Sequence, residues 1–227
     1  MTLVISTIAA RVLGSLVEKE ITTPEYYPLS LNALANACNQ KTNREPVLEL
    51  AETTVQQTID SLMKKYMVSD KSAGYGGRVT KYRHRFCNTE FGPLKFSPQE
   101  LGTLCVMLLR GPQTPGEIRT RTNRLCEFPD TEAVESTLEA LMTREDGPFV
   151  ARLPRAPGAR ESRYAHLFFG AIESVPDPGD APSPSDSGGG ALSLAHKVAE
   201  LEAAVAELRR EIEALKTGAR NSDATGG

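Results

Sequence analysis

The stretch Glu52–Phe86, ETTVQQTIDSLMKKYMVSDKSAGYGGRVTKYRHRF, decides the fold predicted for this chain. Its first apolar residues recur at a helical spacing and share one face: Val55, Ile59, Leu62 and Met63. An extended run begins at Met67, a glycine-rich segment interrupts it at 73–77, and residues 79–86 then alternate between two kinds of side chain. The stretch therefore predicts a helix followed by a two-stranded hairpin.

Cations are concentrated in this hairpin, and its second strand has one basic and one aromatic face. Seven Lys or Arg and one acid lie from Lys64 to Arg85, whereas the whole chain has a formal net charge of -3. A helix that can enter a major groove, followed by a cationic hairpin that can lie on phosphates, is the second part of a winged helix-turn-helix. The amides would read adenine edges and the cations would hold phosphates. The predicted nucleic-acid contacts are Gln56, Gln57, Lys64, Lys71, Arg78, Lys81, Arg83 and Arg85.

Two helices are predicted before the central one. An apolar stripe predicts the first, and Pro24 lies just beyond its end. Ser30 predicts the N-cap of a second helix that runs to Cys38. The polar string Asn39–Glu45 is longer than a minimal helix-turn-helix turn. One interpretation is a solvated loop whose side chains bond local backbone amides, and a functional role is the other.

The same order of elements recurs after residue 92. Ser97 and Asp130 predict caps of a new first and third helix, and Thr114–Ile118 predicts the start of a short second helix. The third helix repeats the central apolar stripe 79 positions later, as Val134, Leu138, Leu141 and Met142. The basic-Tyr-x-His-x-Phe pattern of residues 81–86 also recurs, at an offset of 82, in residues 163–168.

Two tandem winged helix-turn-helix domains are therefore predicted, at residues 1–91 and 92–170. The expected fold class is mainly α with small β-hairpins (α+β). The two copies differ on the exposed face of the third helix, where the second copy carries Glu132, Glu135 and Glu139. Because these charges would repel DNA, the second domain is expected to bind protein or its own partner subunit.

The chain beyond the second domain has a different composition. Residues 171–191 predict a disordered linker, because Pro, Gly, Ser and Asp fill 15 of 18 positions from Ser174 to Ala191. Residues 192–217 predict a parallel two-stranded coiled coil that makes a homodimer, with a disordered tail at 218–227. The coil positions are Leu194, Val198, Leu201, Val205, Leu208, Ile212 and Leu215. A single amphipathic helix that docks on its own domain is the alternative.

Composition excludes several classes of protein. Hydrophobic residues at 40% and charged residues at 24% are typical of soluble proteins, and no apolar run approaches the ~20 residues of a membrane span. The four cysteines lie far apart without metal-ligand spacing, which favours free thiols in a cytoplasmic protein. No phosphate-cradle, metalloprotease or nucleophile-elbow motif occurs, so the sequence predicts no enzyme, no metal and no cofactor.

Several polar strings resemble one known family. They are Glu18–Pro24, Tyr27–Leu34, Ala37–Lys41 and Asn43–Val47. They are similar to the YceH family of bacterial proteins, and the resemblance spans about residues 8–170. It implies tandem winged helices in a bacterial protein, and it supplies no substrate or catalytic residue.

Two functions of different classes remain open. The first is a DNA-binding regulator or architectural protein whose first domain reads double-stranded DNA. The second is a protein-interaction scaffold that uses winged helices as docking modules. Residues 1–91 carry 11 basic and 9 acidic groups, and residues 92–170 carry 10 of each. Neither domain is strongly basic, so the cationic hairpin is what supports the DNA hypothesis.

Overall fold

The computed structural model describes residues 4–71, 79–90, 92 and 94–169. In this part of the chain, six α-helices and two small antiparallel sheets form an α+β fold. The elements are α1 (Thr7–Thr22), β1 (Leu29–Ser30), α2 (Leu31–Cys38), α3 (Glu52–Lys64), β2 (Val68–Lys71), β3 (Lys81–His84), α4 (Pro98–Arg110), α5 (Pro115–Thr122), α6 (Thr131–Thr143), β4 (Val150–Arg152) and β5 (Tyr164–His166). The predicted linker, coil and tail, residues 171–227, lie outside the described residues.

In the first half of the fold, residues 4–90, helices α1 and α2 begin at side-chain caps, whereas α3 begins after Ala51 without one. The Ser6 hydroxyl accepts a hydrogen bond from the Ala9 amide at 3.2 Å. The Ser30 hydroxyl accepts one from the Ala33 amide at 3.3 Å, which confirms the predicted cap of α2. Each cap satisfies an amide that the first turn of the helix leaves without a partner.

The first sheet has the strand order β1-β3-β2. The predicted hairpin is present, with Val68 opposite His84 and Ser69 opposite Arg83. Strand β1 adds Leu29 opposite Tyr82 on the other side of β3. The sequence did not predict β1, because two extended residues before a helix carry no period-2 pattern of their own.

The second half, residues 94–169, repeats this plan. The capping boxes of α4 and α5, Ser97 with Glu100 and Thr114 with Glu117, are both present. Asp130 caps α6 as predicted. Strands β4 and β5 pair as a hairpin. A single bridge between Gln113 and Tyr164 lies where β1 lies in the first half, since Tyr164 and Tyr82 are repeat counterparts.

The two halves pack into one compact unit, Met1–Pro176. Helix α1 packs against α4, and each is buried over most of its surface rather than along one stripe. Gly14 permits this approach, because a Cβ atom there would lie 3.0 Å from the Cβ of Leu108. The sequence predicted a one-sided stripe for α1, since its pattern does not reveal that the repeat packs on the helix from a second side.

Aromatic side chains join the ends of the two hairpins. The rings of Phe86 and Phe168, which are repeat counterparts, meet edge to face with centroids 5.1 Å apart. Phe96 and Phe149 meet in the same way, also at 5.1 Å. Such pairs contribute about 0.5–1.5 kcal/mol beyond their buried area. The two sheets are therefore held to each other as well as to their own helices.

Candidate nucleic-acid interface

Strand β3 separates its cations from its aromatic residues. Lys81, Arg83 and Arg85 are exposed, whereas Tyr82 and His84 are buried. Alternate residues of a strand point to opposite faces, so the three cations form one outward row. Arg83 donates to the Ser69 hydroxyl at 3.3 Å, and no residue in the described part pairs with Lys81 or Arg85. The predicted division into a basic and an aromatic face is confirmed.

The inward face of β3 fixes the strand to the body of the protein. The His84 ring nitrogen Nε2 lies 2.5 Å from a carboxylate oxygen of Glu20. The His84 amide donates to the Tyr27 hydroxyl at 2.8 Å. Burial raises the pKa of the Tyr27 phenol well above its usual value, which keeps this hydroxyl neutral. The contacts of His84 with Glu20 and Tyr27 therefore hold the backbone that carries the outward cations.

Helix α3 contributes two exposed residues of the predicted site. Gln57 and Lys64 are both exposed on the face opposite the buried stripe. Gln56 differs, because its amide donates to Asp60 at 2.8 Å and accepts from the Tyr82 hydroxyl at 3.1 Å. Its amide thus joins α3 to β3 and keeps one N–H and one oxygen lone pair for a further contact.

The rest of the predicted site is only partly described. Arg78 lies outside the described residues, and for Lys71 the backbone alone is described, opposite Lys81 in the hairpin. A groove beside β3 brings acids close to the cations, since Glu20 and Glu90 line it together with Arg83 and Arg85. Carboxylates lower the attraction of such a groove for anions. The outer face of the strand is therefore the better anion surface.

The polar string that follows α2 lies at the joint between the halves. The Arg44 guanidinium is buried and contacts the Glu18 carboxylate at 2.6 and 2.9 Å. It also donates to the Ala37 carbonyl, and Arg124 from the second half contacts the same carboxylate. Glu45 pairs with Arg110 and Arg121. Arg44 is therefore packed into the joint, so the interpretation as a solvated loop does not hold for this residue, whereas Lys41, Thr42 and Glu45 are exposed.

Opposed effects set the ionisation of Glu18. Burial by itself raises the pKa of this carboxyl, and the guanidiniums of Arg44 and Arg124 outweigh it, so the pKa lies below its usual value. Sequence reasoning missed this group. Arg11 and Glu18 are seven residues apart and therefore share one face of α1. Two opposite charges on a helix face that is otherwise buried could have indicated a buried ion pair.

The second half presents a different charge pattern around its hairpin. Glu132, Glu135 and Glu139 are exposed on α6, as the sequence predicted. Glu135 and Glu139 line a groove together with Arg152 and Tyr164 of the hairpin. This half therefore has an acidic helix beside a hairpin that carries arginine.

Two kinds of feature are absent from the described residues. No group of three or more His, Cys, Asp or Glu side chains there could hold a metal ion. None of the helices in the same ranges is long and apolar enough to cross a membrane. The predicted coil positions, from Leu194 to Leu215, lie outside these ranges.

Similarity to known proteins places this chain in a bacterial protein family. The chain is a member of the family described as "Protein of unknown function, DUF480", whose model matches residues 5–159. It is 55% identical over 212 residues to UPF0502 protein VPA1223 of Vibrio parahaemolyticus, covering 93% of this chain and 94% of that protein. It is 55% identical over 206 residues to UPF0502 protein PC1_1804 of Pectobacterium carotovorum, covering 91% and 95%. A UPF0502 protein of Aeromonas salmonicida is 61% identical over 173 residues, or 76% of this chain and 78% of the relative.

These similarities confirm the predicted membership of a bacterial family of unknown function. They also extend further along the chain than the polar strings indicated. Because one alignment covers 212 of 227 residues, it runs well past residue 170 and into the predicted linker and coil.

Proposed function

We propose that this protein is a non-enzymatic DNA-binding protein, a regulator or an architectural protein, built from two tandem winged helices. The observation that carries the proposal is the outward row made by Lys81 and Arg83 on β3 and by Arg85 just after the strand. Cations that do not pair with carboxylates are free to replace the counterions of a phosphate backbone. Gln57 and Lys64 on α3 would extend this surface toward the major groove.

The arrangement of elements supports the same proposal. Three helices followed by a hairpin is the order of a winged helix, and it occurs twice. The segment before the second helix is the short strand β1 in the first half and a single bridge at Gln113 in the second. The first half carries nearly equal numbers of basic and acidic groups. Its affinity for DNA would therefore come from a local cationic patch rather than from its net charge. We therefore expect moderate, salt-sensitive binding, in the range of about 10⁻⁴ to 10⁻⁶ M that is typical of non-specific contacts.

The proposal includes assembly through the predicted coil at residues 192–217. Two copies joined by a flexible tether would bind DNA with higher avidity and without a fixed spacing between half-sites. A protein-interaction scaffold is the second candidate function. It is favoured by one observation, the exposed carboxylates of Glu132, Glu135 and Glu139 on α6, which suit a basic protein partner better than DNA.

The test is an anisotropy titration of the full chain with random-sequence duplex DNA over a series of salt concentrations. Replacing Lys81, Arg83 and Arg85 together by Ala should reduce the slope of log K against log salt by about 0.9 for each phosphate contact that is lost. The matched control replaces three exposed cations elsewhere, Lys41, Lys95 and Arg119, and should change the slope little.

Two results would count against the proposal. Affinity weaker than about 100 μM at roughly 50 mM salt is below ordinary non-specific binding and removes the DNA function. Equal slopes for the β3 variant and the control variant would remove β3 from the interface. Retention of the protein by a basic peptide in the absence of DNA binding would favour the scaffold.

A further inference from the structure

The arginines of the second half fall into two groups. Six of them make hydrogen bonds or ion pairs within the protein: Arg110, Arg119, Arg121, Arg124, Arg144 and Arg163. Arg152, Arg155 and Arg160 make none with any residue in the described ranges, and all three are exposed. The three belong to one element, the hairpin of β4 and β5. In this half, the arginines that have no partner among the described residues therefore all lie in this one hairpin.

The connection between β4 and β5 projects from the body of the protein. Residues 154–161 are all exposed. A turn closes the loop, with the Ala159 amide donating to the Ala156 carbonyl at 2.9 Å, and Gly158 has a φ of +79°. Pro154 and Pro157 limit the conformations of the backbone. The loop therefore displays Arg155 and Arg160 on a restrained backbone that no core packing requires.

The surroundings of the three arginines are unequal. Arg152 lines the groove that also contains Glu135 and Glu139 of α6, so nearby carboxylates offset its charge. Arg155 and Arg160 lie beyond the strand ends, where the loop itself contains one acid, Glu161. The positive potential of this half is therefore expected to be strongest at the tip of the hairpin and weakest over α6.

We infer that this second hairpin is a further DNA-backbone contact, made by Arg155 and Arg160 while α6 stays out of the major groove. The inference deepens the proposed function and rests on it. A guanidinium can donate two parallel hydrogen bonds to a phosphate, which suits a backbone contact without base readout. The acidic face of α6 keeps the polyanion away from the helix. The second half would then add affinity and length of footprint, and sequence readout would stay with the first half.

The assignment departs from the expectation that the second half binds protein alone. That expectation was based on the helix, whose carboxylates repel DNA. The hairpin is a separate element, and a winged helix can hold phosphates through its hairpin without placing its helix in a groove. An acidic protein segment is the competing ligand for the same arginines, and an unchanged salt dependence of DNA binding after their removal would favour it over DNA.

The test uses the full chain, random-sequence duplex DNA and a salt series. Replacing Arg155 and Arg160 by Ala should lower the slope of log K against log salt by about 1.8, because each lost phosphate contact lowers it by about 0.9. The double Lys variant keeps both charges and should retain most of the slope. The control variant, Lys41→Ala with Lys95→Ala, removes the same charge from exposed sites elsewhere and should leave the slope unchanged.

The outcomes are distinct. An unchanged slope in the Arg155/Arg160 variant, when the Lys81/Arg83/Arg85 variant lowers it, overturns the inference and leaves the proposed function in place. Equal losses in the double Ala and double Lys variants also overturn it, since a structural effect rather than charge would then be responsible. Failure of the unaltered chain to bind duplex refutes the proposed function itself. Because the loop is exposed, equal urea midpoints for all variants should show that folding is unaffected.

Discussion

The two halves of this protein have the same interior and different surfaces. In α3 the buried residues are Val55, Ile59 and Leu62, and α6 buries its apolar residues at the same repeat positions. In both halves, a short extended segment pairs with the second strand of the hairpin, through Leu29 and Tyr82 in the first half and through Gln113 and Tyr164 in the second. On the exposed side, α3 presents Gln57 and Lys64 together with the acids Glu52 and Asp60, whereas α6 presents three glutamates and no cation.

This difference shows which features a repeat has to keep. Buried side chains determine whether the helix and the hairpin pack, so both copies retain them. Exposed residues contribute little to folding, and they can change until the copies serve different purposes. The joint between the halves is a third case, because Glu18, Arg44 and Arg124 have no equivalent set elsewhere in the described part of the chain.

The largest effect is expected at the joint. Glu18→Ala should leave the buried Arg44 guanidinium without its counter-ion, which should lower the free energy of unfolding by about 3–5 kcal/mol. Urea denaturation followed by circular dichroism measures this loss. The intact protein should unfold in one transition, since the halves share a core.

The control for this prediction is an exposed pair. Arg163→Ala breaks the contact with Glu117, in which Arg163 is 49% exposed, and should cost about 0–1 kcal/mol. Glu18→Gln keeps the shape of the side chain and removes its charge, so its loss should be smaller than that of the Ala variant. Two transitions in the unaltered protein would mean that the halves are independent. A loss of less than about 1 kcal/mol at Glu18 would contradict the importance of its buried ion pair with Arg44.

The second prediction concerns a histidine that occupies the same hairpin position in both halves. His84 lies against the Glu20 carboxylate, whereas His166 is buried beside Phe168 and Phe169. Burial lowers the pKa of His166 to about 4. Between about pH 6.5 and 4 the unfolded chain binds a proton there and the folded chain does not. The contribution of His166 to the free energy of unfolding is therefore fully present above pH ~6.5. It is lost as the pH falls toward 4, and the loss amounts to roughly 3 kcal/mol.

His166→Asn provides the comparison for this prediction. Asparagine offers an oxygen near the position of Nδ1, which accepts from the Phe168 amide at 3.2 Å, and it does not titrate. The free energies of unfolding of the unaltered protein and the His166→Asn variant should differ most at neutral pH. The difference should shrink as the pH falls to about 4. A constant difference over this range would show that His166 titrates alike in the folded and unfolded chain.

Local signals in the sequence predicted most of the secondary structure. Ser30, Ser97 and Asp130 were predicted as caps, and each accepts the expected hydrogen bond. A cap and an apolar stripe involve residues three or four positions apart, so the sequence contains the whole interaction. The alternation of β3 was equally local.

The residues that sequence reasoning missed depend on distant partners. The Glu18 carboxylate meets Arg44 and Arg124, which are 26 and 106 positions away. Gln56 was predicted to contact DNA, and the sequence did not reveal that its amide also accepts from the Tyr82 hydroxyl, 26 positions along the chain. A single sequence indicates exposure on a helix, but the partner that occupies an amide becomes known only when the hairpin is in place.

The smallest effect is expected where α3 and α6 end. Helix α3 closes with hydrogen bonds from the amides of Tyr66 and Met67 to the carbonyls of Met63 and Leu62, each 2.9 Å, and Tyr66 has a φ of +57°. This is a Schellman motif with a non-glycine residue in the left-handed position, which costs about 1–2 kcal/mol. The Tyr66 side chain is 80% exposed, so it returns little packing energy.

Tyr66→Gly should therefore stabilise the protein by roughly 0.5–1 kcal/mol, since relief of backbone strain exceeds the entropy that glycine adds to the unfolded chain. Glu145, 79 positions later, is the matched control. Helix α6 ends differently, with Arg144 at φ -59° and ψ 137°, and Glu145 is not among the described residues with positive φ. Glu145→Gly should relieve no strain and should destabilise by about 0.4–1 kcal/mol. Urea midpoints that move in opposite directions support the difference between the helix ends, and shifts of the same sign would refute it.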